Sequence, residues 1–215
     1  MVLQHWPPTN PTNPTNPTTA KALDRLGGPG GADGPPTAEF LAACKCVLPV
    51  VDSLGAGMVP ARADISGNIA RLEARLGEDP AAFGALFAIV RREKRDGCEA
   101  DNAGCTKGLL WLTRALTFIL ETLRRLHADP ALEVHGAASA AYEGTLKPYH
   151  GWITSTAYWA ALKLVPYRRD FFAILGEGSA GLDAELARLD AQLSPVLAAV
   201  RAFMEAEGVN FPDTV

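Results

Sequence analysis

Residues 60–76 of the chain read PARADISGNIARLEARL and carry two helical stripes side by side. At about 100° per residue, one stripe is apolar and consists of Ile65, Ile69, Leu72 and Leu76. The second stripe lies about 100° round the axis and consists of Asp64, Asn68 and Arg71. An acid, an amide and a guanidinium together donate and accept hydrogen bonds, so this stripe fits a neutral headgroup with hydroxyl or amide groups. The alternative is an ordinary solvated face.

Helical spacing continues from Thr37 to the end of the chain, and no segment shows sustained alternation of period two. Pro49 predicts a break within the first helical stretch, and Gly55 and Gly57 predict a turn after it. The sequence therefore predicts an all-α protein, a helical bundle of about eight helices. Besides residues 60–76, helices are expected at 37–54, 79–94, 109–127, 134–146, 149–165, 170–175 and 182–207.

The first 36 residues differ in composition from the rest of the chain. The triplet TNP recurs three times at 9–17, and GGPGGADGPP occupies 27–36. Such a segment has too little apolar surface to offset the entropy lost on ordering, although a helical turn at 21–26 is conceivable. We expect residues 1–36 to form a disordered tail and residues 37–215 to form one domain.

Composition excludes several functional classes for this chain of 215 residues. The net charge of −4 does not favour nucleic acid, and no apolar run approaches the roughly 20 residues of a spanning helix. The start, MVLQHWPP, lacks the features of a signal peptide. The four cysteines do not have zinc-site spacing and are expected to be reduced. The segment GEGSAG at 176–181 does not match G-x-S-x-G, and the sequence has no P-loop, no H-E-x-x-H and no G-x-G-x-x-G before a strand. We therefore expect no catalytic residue, cofactor or metal.

Four blocks carry a resemblance to a known family. In chain order they are ADISGN at 63–68, LLWLTRAL at 109–116, LKPYHGWI at 146–153 and VPYRRDFFAIL at 165–175. In order and spacing they resemble the glycolipid transfer protein family, from about Phe40 to the C-terminus. The resemblance implies a two-layer helical bundle that encloses an apolar lipid pocket. It also implies a soluble, monomeric, cytoplasmic carrier that touches membranes transiently and transfers a glycosphingolipid between them.

The helix expected at 109–127 has a core stripe and a second face with Trp111, Arg114 and Phe118. An indole offers a flat apolar platform for a sugar, and a guanidinium beside it offers fixed donors. Trp111 taken alone is more often a core residue. The resemblance implies that Trp111 stacks on the first sugar. By the same resemblance Phe118 lines the lipid-chain pocket, to which we also assign Leu146 and Tyr158.

The same resemblance assigns roles to the polar stripe. It implies that Asp64 and Asn68 bind the sugar hydroxyls, that Asp64 also accepts from the ceramide amide N–H, and that His150 hydrogen-bonds the amide carbonyl. We add Arg71 and Arg114 to the headgroup residues. Arg71 stands where glycolipid-type members commonly have lysine, and Phe211 is the nearest aromatic residue to the family's C-terminal tyrosine.

Residues 149–165 are expected to form a helix with two faces. His150 shares an inward face with Ile153, Ala157, Ala160, Ala161 and Leu164. The opposite face holds Trp152, Thr156, Trp159 and Lys163, and exposed indoles beside a lysine suit a membrane interface. Trp152 matches a membrane-contact position of the family, and we predict membrane contact for Trp152, Trp159 and Lys163. The alternative is that both tryptophans pack against neighbouring helices.

Two other functions stay open at this point. One is a carrier of a sphingolipid phosphate such as ceramide-1-phosphate. That branch of the superfamily has a basic residue where Trp111 stands, which argues against it. The other is a glycolipid sensor or scaffold that acts through a protein partner.

Overall fold

The computed structural model describes residues 21, 23–175 and 182–212. From residue 37 onward, these described residues form ten α-helices, two 3₁₀ turns and no β-strand, which confirms the all-α helical bundle. The helices are α1 (Thr37–Lys45), α2 (Leu48–Ser53), α3 (Val59–Glu78), α4 (Pro80–Phe83), α5 (Leu86–Asp96), α6 (Cys105–Ala128), α7 (Val134–Gly144), α8 (Trp152–Leu162), α9 (Arg168–Leu175) and α10 (Leu182–Ala206). The 3₁₀ turns are Ala56–Met58 and Lys147–Tyr149.

Ten helices replace the expected eight because two of the expected stretches are divided. The first divides between Lys45 and Leu48, where Pro49 occupies the first turn of α2 rather than lying at the break itself. The second divides between Phe83 and Leu86. The prediction for residues 170–175 is confirmed as part of α9, whereas the segment 176–181 lies outside the described residues.

Helix α6 is the central element and packs against α3, α7 and α10. Its predicted stripe is buried, with Leu109, Leu112 and Leu116 fully inaccessible. Leu110 and Leu120, on other faces of the helix, are buried too. A helix that is apolar on nearly every side belongs in the interior of a domain.

The N-terminus of α6 is held by a buried acid from α5. Both carboxylate oxygens of Glu93 accept backbone hydrogen bonds, from Cys105 and Thr106, at 2.7 Å each. The carboxylate satisfies two N–H groups that have no partner inside the helix, and its charge complements the helix dipole. This contact fixes the start of α6. Three turns of that helix carry residues of the site described below.

The predicted two stripes of α3 are present. Ile65, Ile69 and Leu72 are buried and face α6, while Leu76 is partly buried at the end of the helix. The polar stripe runs along the edge of this buried face. The helix begins one residue earlier than expected, and Pro60 lies in its first turn, where a missing N–H costs nothing.

Residues 23–36, which are the continuous described part of the expected tail 1–36, pack against the domain and do not extend freely from it. Leu23 and Leu26 are 0% and 1% exposed and belong to the core. Asp33 and the carbonyl of Ala32 both accept from Arg91 of α5. Burial of these two leucines, worth about 1.5–3 kcal/mol for each side chain, contributes to anchoring this glycine- and proline-rich segment. Residues 1–20 and 22 lie outside the described residues.

Candidate functional site

A cavity of about 400 Å³ lies between α3, α6 and α8. Its volume is within the range of sites that bind small organic ligands, roughly 300–1,000 Å³. The wall is mainly apolar, with side chains that include Val51, Leu54, Met58, Ile65, Ala115 and Ile119. The three residues assigned to a lipid-chain pocket, Phe118, Leu146 and Tyr158, all line this cavity.

Besides Phe118, Tyr158 and Thr154, three groups with polar or stacking capacity line the same cavity. They are Asp64 of α3, Trp111 of α6 and His150, which precedes α8. The ring centroids of Trp111 and His150 are 6.0 Å apart, with 27° between the ring planes. Because Asp64 is also exposed to solvent, it marks the open end of the cavity. An acceptor, a flat indole and an imidazole thus meet where an apolar cavity reaches water.

Asp64 is oriented by a buried amide one turn along α3. Asn68 is only 4% exposed, and its Nδ2 donates to Asp64 Oδ2 at 3.2 Å. Desolvation raises the pKa of Asp64, against the opposing effects of the Asn68 hydrogen bond and the Arg71 charge. Asn68 therefore acts mainly on Asp64 in this structure and does not itself line the cavity.

Arg71 is turned toward the loop that precedes α6. Its Nη1 donates to the carbonyl oxygens of Gly104 at 3.0 Å and Asn102 at 3.4 Å. A Cβ atom at Gly108 would lie 3.2 Å from Arg71 Nη1 and 3.3 Å from Asn68 Oδ1. The absence of a side chain at position 108 thus lets the polar stripe approach α6 one turn before Trp111. Arg71 does not line the cavity.

Arg114 lies against Trp111 but outside the cavity lining. It is buried, and its Nη2 donates to Asn210 Oδ1 at 3.0 Å and to the carbonyl of Phe211 at 2.6 Å. Its guanidinium carbon is 3.5 Å from the Tyr149 ring centroid and 5.0 Å from that of Trp111. The structure therefore shows Arg114 joining the indole to the C-terminal segment, a contact that helical periodicity could not reveal.

His150 is positioned by Tyr142, a residue that the sequence analysis did not single out. The Tyr142 hydroxyl lies 3.1 Å from His150 Nδ1, and Tyr142 itself is fully buried. Burial lowers the pKa of His150, which favours the neutral form of the imidazole. The only sequence signal was the aromatic residue of the segment AAYEG, eight positions before the histidine.

The two faces expected for residues 149–165 are wrong in part. Helix α8 spans only Trp152–Leu162, so His150 and Leu164 lie outside it and their helical spacing has no meaning. Ile153 and Leu164, expected to point inward, are 66% and 65% exposed. Ala157 and Ala161 do line the cavity, as an inward face requires, and Leu162 is the buried residue of α8.

The three residues assigned to membrane contact have different surroundings. Trp152 is 79% exposed and Lys163 is exposed. Trp159 is half-buried and makes edge-to-face contacts with Tyr142 and Tyr158, at ring-centroid distances of 5.6 and 5.9 Å. Trp159 therefore belongs to the aromatic cluster behind the cavity, in line with the alternative that it packs against neighbouring residues.

Two further features of the described residues bear on function. No helix among them is both long enough and apolar enough to cross a membrane. Within the same residues, no group of three or more histidine, cysteine, aspartate or glutamate side chains could hold a metal ion. None of Cys44, Cys46, Cys98 and Cys105, all of which the structure describes, forms a disulfide bond.

Comparison with known proteins gives consistent results. Residues 35–177 match the family described as Glycolipid transfer protein (GLTP). Glycolipid transfer protein 1 of Arabidopsis thaliana is 38% identical over 174 residues, which cover 81% of this chain and 86% of the relative. Glycolipid transfer protein of Danio rerio is 38% identical over 157 residues, covering 69% and 75% of the two chains.

Solved structures share the fold. A structure that describes how FAPP2 selects simple glycosphingolipids using the GLTP-fold superimposes with a TM-score of 0.72 at 30% identity. It covers 85% of this chain and 90% of the other. Arabidopsis ACD11 complexed with ceramide-1-phosphate has a TM-score of 0.81 at 16% identity, covering 95% of this chain and 100% of the other. At that identity the likeness concerns the fold alone.

Proposed function

The chain belongs to the glycolipid transfer protein family, and we propose that it binds a glycosphingolipid and transfers it between membranes. The observation that carries the proposal is the apolar cavity whose open end combines Asp64, Trp111 and His150. The hydrocarbon chains occupy the cavity, and the headgroup remains at the polar end. No bond is made or broken, so we propose a carrier and not an enzyme.

The cavity shields the lipid chains from water, and exposure of these chains is the main energetic cost of lipid transfer. Exposing a lipid chain to water costs about 0.8 kcal/mol for each CH₂ group. Phe118, Leu146 and Tyr158 offer apolar contacts in its place. The Tyr158 hydroxyl donates to the Ala138 carbonyl at 3.1 Å, so this residue presents its ring and not an unsatisfied polar group.

The polar end matches the groups where sugar and ceramide meet. Trp111 provides a stacking platform for the sugar, and Asp64 accepts hydrogen bonds from a hydroxyl or from the amide N–H. We propose that His150, which lines the cavity, hydrogen-bonds the amide carbonyl. Asn68 contributes by orienting Asp64. Arg71 and Arg114 contribute from outside the cavity lining. Arg71 binds the loop before α6 through the Gly104 carbonyl, and Arg114 packs against the indole of Trp111.

A phosphate headgroup fits the same end less well. Arg71 and Arg114 donate to backbone carbonyls and to Asn210, and neither lines the cavity. Asp64 would face the phosphate with a like charge, which costs about 1 kcal/mol in water and about 4 kcal/mol at an effective dielectric constant of 20, for charges 4 Å apart. These contacts favour a sugar over a phosphate.

We further propose that the protein touches membranes transiently through a patch beside α8 and acts as a cytoplasmic monomer. Its most exposed large apolar side chains there are Trp152, Ile153, Leu164 and Tyr167. Trp152 and Ile153 begin α8, whereas Leu164 and Tyr167 follow its end. Lys163, which precedes Leu164 in the chain, is exposed and can extend its amine toward lipid headgroups. This patch replaces the predicted one that included Trp159.

A vesicle assay tests the function. Transfer of fluorescent glucosylceramide from donor to acceptor vesicles should clearly exceed transfer of ceramide-1-phosphate. Faster transfer of ceramide-1-phosphate would overturn the headgroup assignment. Tight binding of glucosylceramide without transfer would instead support a sensor that acts through a protein partner.

A further inference from the structure

His150 has two ring nitrogens, and only one of them is free to serve a ligand. Nδ1 lies 3.1 Å from the buried hydroxyl of Tyr142, which leaves Nε2 for the cavity that His150 lines. A neutral imidazole carries one proton, so one nitrogen donates and the other accepts. The partner of Nδ1 therefore decides what Nε2 can offer to a ligand.

Tyr142 is part of a short chain of hydroxyl groups. Its oxygen lies 3.0 Å from Ser155 Oγ, and Ser155 Oγ lies 3.4 Å from the carbonyl oxygen of His150. Each hydroxyl has one proton and can also accept, so the chain can run in two directions without moving a heavy atom. In one direction Nδ1 donates to Tyr142, Tyr142 donates to Ser155, and Nε2 is an acceptor. In the other, Ser155 donates to Tyr142, Tyr142 donates to Nδ1, and Nε2 carries the proton.

We propose that Tyr142 is a positioning residue that, with Ser155, stabilises His150 with its proton on Nε2 when an amide carbonyl is bound. The inference rests on the proposed function, since the carbonyl is that of the ceramide. The ligand carbonyl accepts from Nε2–H, and the Tyr142 hydroxyl donates to Nδ1. The free protein can use the opposite direction, in which Ser155 donates to the His150 carbonyl.

The surroundings of Tyr142 hold its hydroxyl in place. Its ring stacks on Tyr158 with centroids 3.7 Å apart and planes within 15°, and Trp159 packs against it edge to face. The His150 ring lies 5.5 Å from the Tyr142 ring. A fully buried, stacked ring has little freedom to turn its hydroxyl away, so the contact with Nδ1 is built into the core.

The test is Tyr142→Phe, which keeps the ring and removes only the hydroxyl. Binding is measured for two probes with the same sugar: glucosylceramide, and a glucosylated dialkyl glycerol ether that has no carbonyl. We expect about a tenfold loss of affinity for glucosylceramide, the equivalent of one hydrogen bond, and less than a twofold loss for the ether. Ser155→Ala should produce a smaller loss with the same preference for the amide probe.

Tyr158→Phe is the matched comparison, because it removes a hydroxyl from the same aromatic cluster without touching His150. It should affect both probes equally. Imidazole ¹⁵N shifts of the wild-type protein give a second readout, with the Nε2–H form expected in the glucosylceramide complex. Equal losses for both probes in Tyr142→Phe, or an Nδ1–H form in the complex, would overturn the inference. Wild-type protein that does not bind glucosylceramide would overturn the proposed function as well.

Discussion

The two walls of the cavity differ in how they are held. One wall is α6 with α3, where Leu109, Leu112 and Ile65 are buried and a buried carboxylate caps the start of α6. The other wall is α8. All eleven residues of this helix are described, and Leu162 is the one that is buried. Asp64 and Trp111 stand on the first wall, whereas the second contributes small residues and one tyrosine to the lining.

This difference indicates a division of roles. Stacking and hydrogen bonding to a headgroup require fixed geometry, and side chains on buried helices have it. Under the proposed function, the wall with solvent on its outer side is the one that would meet a membrane, since Trp152 and Ile153 are exposed there. Helix α8 approaches the 3₁₀ turn Ala56–Met58 closely at Gly57, where a Cβ atom would lie 2.8 Å from the Ala161 carbonyl oxygen.

The largest effect on the free energy of unfolding should come from truncating a buried side chain of the first wall. Leu112→Ala should lower the free energy of unfolding by about 2–5 kcal/mol, because Leu112 is fully buried and leaves a cavity. Ile153→Ala on α8 should change it by less than about 0.5 kcal/mol. Urea denaturation of both variants measures the difference. Similar losses would contradict the difference in packing between the two walls.

Loss of the carboxylate on the first wall should impair binding without unfolding the protein. Asp64→Val removes charge-assisted hydrogen bonds to the headgroup, each worth about 1.5–3 kcal/mol, so glucosylceramide transfer should fall by more than tenfold. The vesicle assay and a melting curve are run on the same sample. Glu73→Val, an exposed acid of the same helix paired with Lys45, serves as the control. Undiminished transfer by a folded Asp64 variant would remove Asp64 from the site.

Substitution on the outer side of the second wall should affect the membrane step alone. Trp152→Ala should slow transfer between vesicles severalfold while leaving binding of a water-soluble short-chain glycolipid unchanged, because the indole points away from the cavity. Thr156→Ala, on the same exposed side of α8, controls for changes in the helix. A parallel loss of binding and transfer would place Trp152 inside the site.

The smallest effect concerns the stability of the site itself. The pKa of Asp64 is raised in the folded protein, so folding binds a proton more tightly there than the unfolded chain does. The contribution of Asp64 to stability therefore falls as pH rises from the unfolded pKa, about 3.9, through the folded one, and ionisation opposes folding at neutral pH. Asp64→Asn should be slightly more stable than wild type at pH 7, with the gain vanishing at pH 3. Equal or lower stability at pH 7 would contradict this assignment.

Much of the site could be predicted because its signals are local. The spacing of Ile65, Ile69 and Leu72 follows from the covalent geometry of a helix, and it orients Asp64 beside the core face whatever surrounds it. Trp111 and Phe118, seven residues apart, occupy one side of α6 for the same reason. Both line the cavity together with Asp64.

Helical spacing failed where helix ends were misjudged. His150 and Leu164 were included in one helix with Ile153, but α8 ends at Leu162 and begins after the histidine. Outside a helix, a spacing of three or four residues carries no information about direction. The exposure of Ile153 and the inward packing of Trp159 depend on how α8 as a whole rests on α7, which no local pattern contains.

The sequence by itself determined the helical class and the sides of α3 and α6 that carry Asp64, Trp111 and Phe118, because each depends on residues close together in the chain. The family resemblance, which rests on four blocks along the chain, was also contained in the sequence. Only the tertiary structure decided which groups hold the side chains of the site. Arg114 meets residues 210 and 211, Glu93 caps α6, and the Tyr142 hydroxyl reaches His150. Leu23 likewise reaches the core from a segment that composition alone marks as a tail. These contacts join separate elements, and their geometry exists only after the helices have packed.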